Sequence, residues 1–277
     1  MKVLRFCPIG KTGERVGELV NGRIRAYPAG TSLLDALFEG RRASEEEEWG
    51  LEEVRLLCPF KPNLIYGIGL NYPAHPLQKE LGTEGKPAVP IIFLKGPNAA
   101  AGPNDDIPYP LPAKALDYEG ELAFVIGPDG LPAAYAVADD LTARDLQKSE
   151  RQWARAKGFD ASCPFGPWLT SVDEVHDLGG LTLTTHVNGE KRQEMKLGHM
   201  IFSIREMIAA ISETNTLSPG DLILTGSPTG TGVSFKPPVY LKPGDVVTVE
   251  IESLGRISHR IVEKSGRRSG LRTADGL

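Results

Sequence analysis

No apolar run in this sequence approaches the roughly 18 residues a membrane-spanning helix requires, and no membrane role is expected. Cysteine is scarce. Cys7, Cys58 and Cys163 are widely spaced, with no Cys-x-x-Cys pair and no Cys/His ligand spacing. A disulfide framework and a thiolate zinc site are thereby excluded. Buried thiols in a reducing cytoplasm are the expectation, and Lys2 and Arg5 sit in a strand-like pattern rather than a leader. A strong excess of either charge is also missing. Thirty-one Lys and Arg against 36 Asp and Glu leave a net charge of -5, so nothing draws the chain globally to nucleic acid or anionic lipid. The locally basic stretch from Arg256 to Arg272 holds no interleaved aromatics and reads as a solvated tail. No internal repeat is visible. The loop Gly226-Ser227-Pro228-Thr229-Gly230-Thr231-Gly232 lacks the Lys-Ser/Thr ending of a phosphate loop. Gly67-Ile68-Gly69 lacks the third glycine of a dinucleotide fingerprint.

What is present is ordinary globular material of 277 residues, enough for one large domain and a small one. Cys58-Pro59-Phe60-Lys61-Pro62, with two prolines close together, marks the expected boundary. The division is then 1–60 for a small N-terminal α+β unit, 61–262 for the main domain and 263–277 for a tail. In the first unit, Met1 to Phe6 and Arg15 to Tyr27 suit short strands, and Leu33 to Phe38 a short helix. Glu45 to Glu48 suits a solvated helix face. Beyond it the pattern is mostly β: Leu64 to Ile68, Ile91 to Leu94, Tyr118 to Ile126, Tyr135 to Ala138, Leu181 to Val187, Leu222 to Thr225 and Val246 to Ile251. Asn188-Gly189 is a hairpin turn signal. Two helices are expected, Thr142 to Lys157 and Ser203 to Ser212, the second opened by a Ser203/Glu206 capping box. Strands do not alternate regularly with helices, which argues against a doubly wound sheet and for an α+β fold.

Three stretches carry chemistry. In Asp117-Tyr118-Glu119-Gly120-Glu121-Leu122-Ala123, period two places Glu119 and Glu121 on one strand face. Two carboxylates there suit either a solvated face or an oxygen-rich site for Mg²⁺, Mn²⁺ or Ca²⁺. Asp139-Asp140 ends a strand and precedes a helix. Either the pair is an N-cap or Asp140 is a third metal oxygen. His75 follows a strand and a Gly-rich loop, and is the residue type best suited to moving a proton near neutral pH. His176, His186, His199 and His259 have no partner nearby in sequence and are assigned no role. The 226–232 loop can present backbone N–H groups to a carboxylate.

Taken in order, these stretches resemble the fumarylacetoacetate hydrolase family, over about three quarters of the chain from Pro62 to Val262. The resemblance rests on Gly69-Leu70-Asn71-Tyr72 with His75, Asp117 to Leu122, Asp140-Leu141-Thr142-Ala143-Arg144-Asp145, Lys157-Gly158, and Pro219-Gly220-Asp221 leading to Gly226-Ser227-Pro228. Lys236-Pro237-Pro238-Val239-Tyr240-Leu241 and the small first unit are similar to the branch with short N-terminal domains. The resemblance implies a β-rich α+β fold of mixed sandwich or roll type, and a homodimer. It implies that Glu119, Glu121 and Asp140 hold a divalent cation, Mg²⁺ first. His75 is then the acid/base residue on a lid, Lys157 and Gln147 line the substrate site, and Ser227 stands where the family carries a substrate-contacting Thr. The family often has Glu three residues after that His. Here the position is Gln78, with Glu80 two residues on, and an amide cannot take a proton.

The implied substrate is a small 2-oxo or 2,4-dioxo acid, activated as an enolate. Hydrolytic cleavage of a C–C bond, decarboxylation, and isomerisation of the 2-hydroxyhepta-2,4-diene-1,7-dioate type all follow from that enolate. A metal-binding oligomeric module without catalysis is the reading from a different class.

Overall fold

The computed structural model describes residues 1–43, 47–73 and 86–264. Its centre is the strand Gly120–Ile126, in which every residue is buried. Antiparallel partners flank it on both edges, Pro132–Asp139 on one and Leu222–Leu224 on the other. From Leu222–Leu224 the sheet continues through Ile65–Gly69, which runs parallel to it, to Ile91–Lys95 at the edge. In the other direction it continues through Cys163–Ser171 to Lys2–Pro8, Arg15–Val20, Arg23–Ala26 and Glu48–Gly50. Lys2 lies opposite Thr170, so the N-terminal strands extend the sheet that carries the central strand.

The pleat of Gly120–Ile126 sorts its side chains into two cores. Ala123 and Val125 pack with Val3, Leu33, Leu37, Phe60 and Phe165, beneath the helix Leu33–Phe38. On the opposite face Leu122 meets Val249, Ile257 and Ile261 of a second sheet. That sheet runs in the order Glu190–Lys196, Thr182–Val187, Val246–Ile251, Gly255–Val262 and Ile107–Pro108. Asn188 and Gly189, both at positive φ, turn its first hairpin as expected. Further along the same face, Phe124 and Ile126 pack under Met207 and Ile211 of the helix Ile204–Ser212. The result is β-rich α+β architecture, and no described helix is long and apolar enough to cross a membrane.

The Ser203 box forms. Ser203 Oγ accepts from the Glu206 N–H at 3.3 Å, and the Ser203 N–H donates to Glu206 Oε2 at 2.8 Å. Ser203→Ala removes one half of this reciprocal pair at an exposed helix end. It should cost about 1 kcal/mol of unfolding free energy in urea titration. Turnover should be unchanged, because Ser203 is exposed and its side chain bonds Glu206 rather than any residue lining the cavity described below.

Several expectations are corrected. Thr142 to Lys157 is not one helix. Thr142–Ala143 pairs with Leu116–Asp117 in a two-stranded ladder, and the Arg144 N–H donates to Ala115 O, which holds the start of the segment extended. A helix then spans Arg144–Ser149, the chain opens at Glu150, and a short turn of helix resumes at Ala154–Lys157. Asp139 and Asp140 are not an N-cap: the cap position is Ala143, with no side-chain bond. Glu48 begins a strand rather than sitting on a helix face, and Glu45 and Glu46 lie outside the described residues. Cys163–Ser171 and Glu190–Lys196 are strands where none is expected, and Gly255–Val262 is a strand with Ile257, His259 and Ile261 buried rather than the start of a solvated tail at Arg256. Two prolines and a glycine obscure the first of them, and charged outward residues the others.

Candidate active site

Gly120 explains how two glutamates come to share a buried face. It points toward the second sheet, where a Cβ would sit 2.2 Å from Thr185 Oγ1. Only glycine lets the two sheets approach there. The pleat then turns its neighbours Glu119 and Glu121 the other way. Asp140, just past the end of the adjacent strand, joins them. One oxygen from each of the three lies within 4.8 Å of the others. Their exposures are 6%, 1% and 0%, which overturns the solvated-face alternative for the pair.

Cations surround the cluster. Lys157 Nζ donates to Glu119 Oε2 and Asp140 Oδ2, each at 2.5 Å. The ammonium also lies 4.8 Å from the centre of the Phe93 ring. Lys95 Nζ donates to Asp140 Oδ1 and, at 2.9 Å, to Ser162 O. Arg144 forks three ways: Nη2 to Glu119 Oε1 at 2.6 Å, Nε to Asp117 Oδ2 at 2.8 Å, and Nη1 to Gln147 Oε1 at 3.0 Å. The break in the expected helix makes this possible, since Arg144 and Lys157 approach from separate segments.

The 226–232 loop does present N–H groups to carboxylates, and they are the protein's own. The Gly226 N–H donates to Glu121 Oε2 at 2.6 Å, and those of Gly232 and Val233 to Asp117 at 2.6 and 3.1 Å. Gly226 has φ +95°, and a Cβ there would lie 2.7 Å from Asn71 Cβ. Asn71 in turn donates to Thr225 O at 2.7 Å and accepts from the Phe202 N–H at 2.7 Å, anchoring the chain that leads toward residue 74.

Burial raises the Glu121 carboxyl well above the ordinary range, and Asp140 and Glu119 push it further up. Burial raises Asp117 as well, against the opposing pull of Arg144. Burial works against the Lys157 ammonium, yet Asp140 and Glu119 more than offset it and hold its pKa above that of a free lysine. A set of three buried carboxylate oxygens fits a hard divalent cation. That Glu119 and Asp140 already converge on one ammonium nitrogen shows the cluster accommodates a positive centre.

Of the residues expected at the site, the structure brings together Glu119, Glu121, Lys157, Gln147 and Ser227 around one cavity, with Asp140 joined to Glu119 and Glu121 in the carboxylate cluster. Ile68, Leu70, Phe93 and Trp153 form its apolar wall. Ser227 Oγ donates to Gly120 O at 3.0 Å and accepts from Gln193 Nε2 at 2.8 Å, so what it can offer a ligand is a lone pair. His75, Gln78 and Glu80 lie outside the described residues. The roles of Lys95, Arg144, Asp117 and Gln193 do not follow from the sequence pattern and emerge only from the fold. For Lys95 the pattern gives the face alone, because it shares the inward face of its strand with Phe93 and Ile91.

The model of the fumarylacetoacetate (FAA) hydrolase C-terminal region matches residues 64–262. A mitochondrial oxaloacetate tautomerase of Xenopus laevis is 41% identical over 222 residues, covering 76% of this chain and 69% of its own. The solved fumarylacetoacetate hydrolase of the psychrophile Exiguobacterium antarcticum superposes with a TM-score of 0.83 at 33% identity, over 95% of this chain and 100% of that one. A 2-hydroxyhepta-2,4-diene-1,7-dioate isomerase from Mycobacterium marinum does so with a TM-score of 0.76 at 34% identity, over 96% and 100%.

Proposed function

This chain belongs to the fumarylacetoacetate hydrolase family, and from that membership we propose that it is a divalent-metal-dependent tautomerase. It interconverts the keto and enol forms of a small 2-oxo dicarboxylic acid, with oxaloacetate the first substrate to test. The observation that carries this is the buried Glu119/Glu121/Asp140 cluster set among Lys95, Arg144 and Lys157. With Asp117, four carboxylates face three fixed cations, formally one negative charge in excess. A divalent ion reverses that excess and makes the cavity a receptor for an anion. Mg²⁺ is the first choice for an all-oxygen set, and Mn²⁺ or Ca²⁺ would substitute.

When bound, the cation supplies Lewis-acid polarisation of a 2-keto oxygen. The rest falls to the chain's own residues. Lys157 and Gln147 hold the substrate's carboxylates at the polar end of the cavity. Ile68, Leu70, Phe93 and Trp153 exclude water from the carbon beside the keto group. His75 takes the proton from that carbon, and a proton is delivered to the oxygen as the double bond shifts. One C–H bond breaks, one O–H bond forms, and no water is consumed. Gln78 fits this outcome better than hydrolysis, because an amide cannot deprotonate an attacking water. A second reading, isomerisation of a 2-hydroxy-2,4-dienedioate, is supported by the likeness to the Mycobacterium marinum enzyme and by the apolar wall. We propose a homodimer, in line with the family.

The test follows oxaloacetate enol by ultraviolet absorbance, with Mg²⁺ or Mn²⁺ and then with a chelator. The expected result is metal-dependent acceleration of the enol-to-keto relaxation, with no pyruvate formed. Release of CO₂, or cleavage of acylpyruvates, would replace the tautomerase with a decarboxylase or hydrolase. Turnover of the dienedioate without any effect on oxaloacetate would favour the second reading. Metal binding with no effect on any of these compounds would leave a non-catalytic module.

A further inference from the structure

Gly255–Val262 of the second sheet turns Ile257, His259 and Ile261 inward. A histidine between two isoleucines on a fully buried face needs a partner, and sequence proximity provides none. The fold provides Asp139. His259 Nε2 lies 3.0 Å from Asp139 Oδ2, with His259 1% exposed and Asp139 fully buried. The two groups meet at ion-pair distance rather than in a well-aligned hydrogen bond. Neither ring nitrogen nor Asp139 Oδ2 has any other hydrogen-bond partner among the described residues.

Asp139 stands cross-strand from Gly120, so the pleat points both toward the second sheet. Its next neighbour, Asp140, points the opposite way into the carboxylate cluster. Asp139 Oδ1 accepts the Glu119 backbone N–H at 2.7 Å, while the Asp140 N–H donates to Glu119 O at 2.8 Å. The backbone of Glu119 is therefore held at both its N–H and its C=O by consecutive aspartates. One of those aspartates is held from the other sheet by His259.

We infer that His259 is a positioning residue for the metal centre, acting through the Asp139 carboxylate on the backbone of Glu119. The inference rests on the reading of Glu119, Glu121 and Asp140 as metal ligands. It assigns a job to a sheet that contributes no ligand: His259 fixes the rotation of Asp139, and Asp139 fixes where Glu119 enters the site. Groups that orient ligands in this way are worth about tenfold to a hundredfold in metal affinity.

The test measures Mn²⁺ affinity of the full chain by calorimetry, with metal alone, at a temperature where each variant is folded by circular dichroism. A glutamine amide nitrogen reaches the position of Nε2, whereas an asparagine amide reaches only that of Nδ1. His259→Gln should therefore stay within about threefold of the parent, and His259→Asn and His259→Leu should weaken Mn²⁺ by about tenfold or more. Asp139→Asn keeps an oxygen for the Glu119 N–H and should bind nearly as the parent does; Asp139→Leu should not. At saturating Mn²⁺, kcat of His259→Leu should recover, because what is lost is ligand placement. Folded His259→Leu and Asp139→Leu proteins with parental affinity would overturn the inference and leave the metal centre standing. If the leucine variants do not fold, equal affinities for His259→Gln and His259→Asn would overturn it. A parent chain that binds no Mn²⁺ would instead overturn the metal reading, and this inference with it.

Discussion

Glu121→Gln should abolish metal-dependent turnover while leaving the chain as stable as before or more so. The replaced carboxylate is 1% exposed and lies with Glu119 and Asp140 in a cluster whose oxygens are within 4.8 Å of one another. Without a divalent ion its charge is opposed by burial and by both neighbours, which is why its proton is held so tightly. The amide is isosteric and keeps an oxygen for the Gly226 N–H, so the 226–232 loop retains its anchor. What disappears is one anionic ligand. Loss of a charge-stabilising contact at a reacting centre costs about 10²–10³ in kcat, and loss of the ion itself costs more. The expected pair of results is a fall in kcat/KM of at least about 10³ together with an unchanged or raised melting temperature in the absence of metal. Opposite signs for activity and stability separate a functional carboxylate from a structural one. If Glu121→Gln retains metal-dependent turnover, the assignment of the ligand set is wrong.

The carboxylates were legible because their information is local. Period two along one strand places Glu119 and Glu121 together, and only the sense of the face was open. That sense is set by Gly120, whose missing Cβ lets Thr185 approach from 65 residues away. Nothing near Gly120 in sequence announces Thr185. The same holds for the cations. Lys95 is one residue past where its apolar strand was expected to stop, and its partner Asp140 follows the end of another strand. Arg144 falls within a recognisable stretch, yet its role depends on the helix starting there rather than at Thr142, which backbone pairing to Ala115 and Leu116 decides. Periodicity could not show that competition, because Thr142 to Lys157 is an acceptable helix by propensity alone. The N-terminal strands were readable as strands. Their continuation into the main sheet through Lys2 and Thr170 was not, since a register between residues so far apart leaves no local trace.

Arg144→Met should be the most destabilising single substitution near the site, at about 3–5 kcal/mol of unfolding free energy. The guanidinium is 5% exposed and serves Asp117, Glu119 and Gln147 at once. Methionine fills much of the same volume, so the loss is electrostatic rather than a cavity. Asp117 is the sensitive partner. It keeps N–H donors from Tyr118, Gly232 and Val233, but its only ion pair among the described residues is with Arg144. Burial already raises its pKa against that pairing, and removing the cation leaves either an uncompensated charge or a protonated acid facing three donors. Glu119 is less exposed to this loss because Lys157 also holds it. Arg144→Lys restores a charge but not the fork, and should recover only part of the loss. Urea unfolding of the three proteins reads the order directly: parent, then lysine, then methionine. A methionine variant within about 1 kcal/mol of the parent would mean that the loop N–H groups alone stabilise Asp117, and that Arg144 is held there for the ligand rather than for the fold.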